Sequence, residues 1–301
     1  MDEKTSKPPP PPPREMPPKR AGRFRGGEDA SFSVVLKTVT PILGGGFFTG
    51  LGATDHLGFD TIRVPTIRGH LRFWWRALQP PGMSAAELRE REKSLWGGMG
   101  GGAPGEKKEP SASRVNVRVE AVAPDRPEVD ESNPLNGKGS YSLFPAREQT
   151  KDRRVIRETL PRLKPGITFT LRVSCPPARR DEVKAAVRAW ILFGGYGSRT
   201  RRGLGSLTVT QDSGEWLPKS VDELKRLFDG AGSTGDTPSL AGSSLVVGAP
   251  NANAEYAWDL TVSQLQRFRQ EPNFARNPGR AGNRPGQSRW PEPDKIRWLT
   301  G

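Results

Sequence analysis

An α+β fold in the order β-α-β-β-α-β is what this sequence predicts, and three observations predict it. Residues 114–122 and 166–175 alternate apolar and polar side chains with the period of a half-buried strand. Residues 66–79 and 179–193 repeat apolar side chains at helical spacing. A Val- and Thr-rich segment at 33–40 stands before these four, and a further strand pattern at 204–211 closes the series.

Taken in order, residues 1–30 carry an unbroken proline run, Pro8 to Pro13, followed by Lys19, Arg20, Arg23 and Arg25 among glycines. Such a segment adopts polyproline II but builds no core, and it reads as a disordered basic tail. The strand at 33–40 is closed by Pro41, and the glycine-rich stretch around Phe47 and Phe48 reads as a loop. That loop lacks the Lys-Ser/Thr ending of a phosphate-binding NTPase loop, and no Gly-x-Gly-x-x-Gly follows the strand, so no nucleotide cofactor is expected.

Pro65 opens the first helix. On a helical wheel Ile67, Leu71, Trp74 and Leu78 share one arc and are expected in the core, with His70 on the apolar flank. Arg68, Arg72 and Arg76 recur every four residues and form a stripe beside Trp75. The stripe has two readings: a solvated helix face, or three guanidinium groups and an aromatic plane facing RNA. A second helix is expected over 84–96, where Ser84 and Glu87 have the spacing of a capping box and Gly97-Gly98 ends the run. Val115, Val117, Val119 and Ala121 share one face of the next strand, and residues 123–165 read as irregular and charged. Ile167, Phe169, Leu171 and Val173 alternate in the strand that follows, and Val183, Val187, Trp190 and Ile191 are the buried row of the last main helix. With its inserted second helix this is the ferredoxin-like plan, shared with RNA-recognition modules. Such modules bind across the open sheet or along the loops at its edge.

The expected organisation is a tail at 1–30, a ferredoxin-like domain at 31–212, a short helix and low-complexity connector at 213–263, and a basic strap at 264–301. Only 33% of the 301 residues are hydrophobic, while Gly and Pro number 35 and 30, so long irregular, partly disordered segments are expected around the folded centre. The formal charge of +14 makes nucleic acid the first partner to consider. No apolar run approaches the roughly 20 residues that span a bilayer, and Met1 leads into a polar segment, so a cytoplasmic protein without membrane contact is expected. One cysteine, Cys175, and two histidines, His56 and His70, give no basis for a disulfide or a zinc site.

The densest positive charge lies between the last helix and the last strand, in Gly194-Gly195-Tyr196-Gly197-Ser198-Arg199-Thr200-Arg201-Arg202-Gly203-Leu204-Gly205. Glycine allows close backbone approach, and Arg199, Arg201 and Arg202 supply three forked cations. Either this is a mobile, solvated turn or it grips a phosphate backbone, with Gly194, Gly195, Gly197, Ser198 and Gly203 among the RNA-binding residues. Near the end, Arg276, Arg280, Arg284 and Arg289 recur among Gly, Pro and Asn, as in an extended strap that follows a polyanion.

Three stretches together resemble one family. They are Pro65-Thr66-Ile67-Arg68-Gly69-His70-Leu71-Arg72-Phe73-Trp74-Trp75-Arg76-Ala77-Leu78, the loop at 194–207, and Ser288-Arg289-Trp290-Pro291-Glu292-Pro293-Asp294-Lys295-Ile296-Arg297. They look like the signatures of the first Cmr subunits, members of the RAMP superfamily in type III-B CRISPR–Cas effector complexes. The resemblance implies a RAMP module, contact with CRISPR RNA or target RNA near the 3′ end of the guide, and neighbouring Cmr subunits as partners. It also implies RNA binding by the glycine-rich loop and matches Arg68 and Arg72 to the family's helix motif. Chains of the family continue into a second RAMP module, whereas this sequence stops at Gly301, so a truncated subunit or one completed by a separate chain is implied.

Some RAMP relatives cleave RNA. Metal-free cleavage needs a general base and acid near the 2′-hydroxyl. His56, flanked by Asp55 and Asp60, is the weak candidate base, and His70 reads as packed. The primary expectation is a non-catalytic RNA-binding subunit; a CRISPR RNA-processing endoribonuclease and a protein-only assembly subunit stand as alternatives.

Overall fold

The computed structural model describes residues 29–44, 62–80, 82–98, 110–226, 239–240, 243, 245–249 and 251–270. Strand β1 (Ala30–Thr38) is followed by helices α1 (Val64–Ala77) and α2 (Ala85–Trp96) and by strand β2 (Asn116–Ala123). An inserted region holds β3 (Val129–Asp130), the single turn α3 (Ser140–Leu143), β4 (Gln149–Lys151), β5 (Arg154–Arg157) and β6 (Arg162–Leu163). Then come β7 (Thr168–Cys175), α4 (Arg180–Phe193), β8 (Leu207–Val209), α5 (Ser213–Trp216), α6 (Val221–Lys225) and α7 (Ala254–Gln270).

The main sheet runs β2-β7-β1-β8, every neighbouring pair antiparallel. With α1 between β1 and β2, and α4 between β7 and β8, this is the ferredoxin-like topology expected from the sequence. Alternation selects the buried face: Val34 pairs with Leu171, Leu36 with Phe169 and Val117 with Val173, and all six are buried. Against them pack Ile67, Leu71 and Trp75 from α1 and Val183, Val187 and Trp190 from α4, in one continuous core. The opposite face carries Ser31, Ser33, Lys37, Arg118, Glu120 and Arg172, all exposed.

Local chemistry explains the element ends. Pro65 sits in the first turn of α1, where its missing N–H costs nothing. Ser84 caps α2: the Glu87 amide donates to its hydroxyl at 3.3 Å, and its own amide donates to the Glu87 carboxylate at 2.9 Å. Hydrogen bonds from the Ser84 amide and hydroxyl hold the Glu87 carboxyl below its usual range.

The structure corrects three expectations here. The core row of α1 is Ile67, Leu71 and Trp75, while Trp74 and Leu78 are only half-buried. The rotation has a polar cause: the Trp75 indole N–H donates to Glu182 on α4 at 2.8 Å, which lets that ring enter the core satisfied. The alternation of β2 stops at Glu120; Ala121 has φ 50° and is exposed, and the pairing with β7 shifts register between Glu120 and Ala123. Finally, α7 runs through the expected connector and across the boundary placed at 263/264. Asn253 caps it by accepting from the Tyr256 amide at 3.0 Å. No helix among the described residues is long and apolar enough to cross a membrane.

Candidate nucleic-acid interface

The glycine- and arginine-rich loop joins α4 to β8, an edge strand, and it is an ordered, tightly packed structure. Tyr196 is fully buried in the main core, and its hydroxyl accepts from the Arg63 amide at 2.8 Å. The Tyr196 amide donates to the Gly205 carbonyl, closing the loop at its base at 2.8 Å. Gly205 has φ 63°, and a Cβ there would lie 1.9 Å from the Tyr196 carbonyl oxygen, so only glycine fits.

The segment after β1 forms the loop's inner wall. The Ser198 amide donates to the Leu43 carbonyl at 2.7 Å, and the Gly205 amide to the Pro41 carbonyl at 2.8 Å. Thr40 donates through its hydroxyl to the Gly203 carbonyl at 2.6 Å and accepts from the Ser206 amide at 2.8 Å. Gly194, Gly195 and Gly197 lie directly against Trp190, Gly205 and Leu43. The glycines thus serve close packing within the protein.

A second wall comes from elements that no sequence pattern connects with the loop. The Arg202 carbonyl accepts from the Ser142 hydroxyl at 3.0 Å and from the Trp258 indole N–H at 2.9 Å, which brings α3 and α7 onto the same peptide. Leu43, Leu143, Ala146, Leu204, Trp258 and Val262 form a small second core beneath it. Gly203 lets the Trp258 ring approach, since a Cβ there would lie 2.6 Å from it. The signal for α7 is present in the sequence: Ala254, Trp258, Val262 and Leu265 follow Asn253 at helical spacing.

On this frame Arg199 has left-handed backbone, φ 58°, and is half-buried. A non-glycine residue in that region is held there by its surroundings. Arg201 is exposed and has no carboxylate partner among the described residues. The Arg202 guanidinium lies 5.2 Å from the centre of the Tyr141 ring. Ser198 is exposed beside them.

The arginine stripe of α1 is placed differently. Arg72 Nε and Arg76 Nη1 both donate to Glu92 on α2 at 2.6 Å, and Arg68 donates to the Trp96 carbonyl at 3.3 Å. Trp75, expected beside the stripe as an RNA-facing plane, is buried and offers no face to a base. The stripe therefore clamps α1 to α2, and its guanidinium groups retain partial exposure. Nor does the exposed face of β1 and β7 supply an aromatic platform: between Ser31, Ser33, Val35, Lys37 and Thr168, Thr170, Arg172, Ser174 there is no ring. His70 is half-buried and stacks on Trp190 with ring centres 6.3 Å apart; burial lowers its pKa. No group of three or more His, Cys, Asp or Glu side chains among the described residues is placed to hold a metal. His56 and the strap arginines Arg276, Arg280, Arg284 and Arg289 lie outside the described residues.

Known proteins similar to the chain identify its family. The chain is 30% identical over 191 residues to the CRISPR system Cmr subunit Cmr1-1 of Pyrococcus furiosus, an alignment covering 58% of this chain and 52% of the relative. It thus spans about half the length of the curated relative it matches. Among solved structures, the crystal structure of Cmr1 from Pyrococcus furiosus in its apo form aligns with TM-score 0.46 and 19% identity, over 79% of this chain and 72% of that one. A chain in a cryo-EM structure of the type III-B Cmr-beta bound to cognate target RNA aligns with TM-score 0.38 and 16% identity, over 67% and 61%. The family model described as the RAMP superfamily matches residues 35–208, from β1 through the glycine-rich loop to β8. The chain belongs to the RAMP superfamily.

Proposed function

We propose that the chain is a non-catalytic, RNA-binding subunit of a cytoplasmic type III-B CRISPR (Cmr) effector complex. It contacts CRISPR RNA or target RNA near the 3′ end of the guide, beside other Cmr subunits. Its similarity to a Cmr subunit over 191 residues supports membership of such a complex. The observation that carries RNA binding is the 194–205 loop, a hydrogen-bonded frame that holds Arg199, Arg201 and Arg202 within one turn at a sheet edge. A mobile basic turn would have to lose its freedom when it met a polyanion; the backbone of this loop is held by hydrogen bonds at Tyr196, Ser198, Gly203 and Gly205, and guanidinium groups are forked, charged donors that match phosphate oxygens.

Replacing Arg199, Arg201 and Arg202 together with alanine tests the reading. Affinity for single-stranded RNA falls, and the slope of log K against log salt becomes shallower by on the order of 0.7 for each phosphate that is no longer neutralised. A slope identical to that of the wild type removes the loop from the interface. Purification of the complex from its native cells, with mass spectrometry of the proteins and sequencing of bound RNA, tests the assembly. Recovery of the chain without Cmr subunits and without RNA overturns it.

A further inference from the structure

The turn that supports the loop carries a second feature suited to RNA. Helix α3 runs directly into a 3-10 turn, Phe144–Ala146. Phe144 is 49% exposed, one of three rings among the described residues, with Phe73 and Tyr256, that stand well out of the cores. Over it, 3.6 Å from the ring centre, lies the Arg147 guanidinium. Its Nη1 donates to the Phe144 carbonyl at 2.9 Å, which fixes the group in place. Arg157 donates to the neighbouring Pro145 carbonyl and adds a second cation to the turn. One helical turn back, Tyr141 lies beneath Arg202, and Ser142 donates to the Arg202 carbonyl. Phe144 and Arg147 therefore sit on the same rigid turn that holds the phosphate-binding loop.

We propose that Phe144 and Arg147 form a stacking subsite for one unpaired nucleobase of the RNA whose phosphates the 199–202 loop holds; this rests on the RNA-binding reading above. Unpaired bases stack on aromatic rings and on guanidinium planes, and such stacking is tolerant of base identity. Because Arg147 is already fixed by its backbone hydrogen bond, little side-chain entropy is lost when a base covers it. The face of β1 and β7 opposite the core has no ring to offer, and Phe144 supplies an exposed one on the turn next to Ser142.

The test uses the full chain and two fluorescein-labelled probes, an oligouridylate and a matching sugar–phosphate chain without bases. Phe144→Ala is expected to weaken binding of the oligouridylate by roughly 5- to 150-fold, the range that stacking contributes per base. It leaves the abasic probe and the salt slope unchanged, because no charge is removed. Arg147→Lys keeps the charge but not the plane, and shows a loss in the same direction on the oligouridylate alone. Thermal melting of both variants verifies that the two substitutions leave the fold intact. If Phe144→Ala binds both probes as the wild type does while the triple-arginine variant weakens both, the subsite falls and the phosphate clamp stands. Equal losses on both probes would make Phe144 a support of the loop and overturn the subsite. Loss of a co-purifying subunit with RNA affinity intact would make the turn a protein-docking surface, with the same result. A wild-type chain that binds neither probe removes the clamp and the subsite together.

Discussion

At the scale of single residues, the site depends on positions where one atom more cannot fit. Gly205 combines φ 63° with a Tyr196 carbonyl oxygen at 1.9 Å from any added Cβ. Gly205→Ala therefore incurs the left-handed backbone penalty of about 1–2 kcal/mol and must also push the loop base apart. Urea unfolding of this variant is expected to show a loss of at least about 2 kcal/mol, larger than a typical surface substitution. An unchanged midpoint would mean that the loop base is soft. Arg202 shows a different economy, since its side chain and its carbonyl have separate tasks. The guanidinium lies over Tyr141, while the carbonyl accepts from Ser142 and Trp258. An alanine at 202 deletes the cation and keeps the anchor, so at this position the triple-arginine variant reports on charge.

At the scale of elements, α7 is the piece that turns the loop into a fixed surface. Its Trp258 is 7% exposed, touches Gly203 and holds the Arg202 carbonyl. Trp258→Ala is expected to destabilise the second core by about 3 kcal/mol or more. Hydrogen exchange at the Ser198 and Gly205 amides should accelerate while the amides of β1 and β7 stay protected. Uniform acceleration across both regions would show a single cooperative unit instead. Strand β7 and helix α4 were legible in the sequence because alternation and helical spacing act over eight or more residues; the strand expected at 204–211 is only Leu207–Val209, because Gly205 is held in the loop base by Tyr196 and Pro41. The capping box of α2 was legible for the same local reason. The orientation of α1 was not, since Trp74 and Trp75 are both apolar and the choice between them was made by Glu182, more than a hundred residues away. The fate of the arginine stripe was decided equally remotely, by Glu92. Helix α7 was hidden because its Trp258–Val262 row is short and lies between a glycine-rich and a basic segment.

At the scale of the whole molecule, two cores of unequal size meet at the glycine-rich loop: Tyr196 belongs to the larger and Leu204 to the smaller. Composition pointed to a small folded centre, but the division of that centre depends on packing between 139–146, 194–205 and 254–262, which no local pattern encodes. Cys175 gives a probe of the larger core. It is fully buried, and burial, reinforced by the Asp29 carboxylate and opposed by Arg180, pushes its thiol up to about 11. A thiol whose folded pKa is raised stays protonated while the unfolded chain ionises. Its contribution to stability is therefore intact below the ordinary thiol range near 8.5 and is lost as pH climbs from there toward 11. Iodoacetamide is expected to modify Cys175 only in step with global unfolding at neutral pH, and labelling of the native protein at pH 7 would contradict the burial. The double acceptor at Arg202 has one more consequence, which is thermodynamic. A ligand that prefers the loop in its seated form draws the Trp258 indole more firmly onto that carbonyl, and by reciprocity whatever steadies α7 raises the loop's affinity by the same factor.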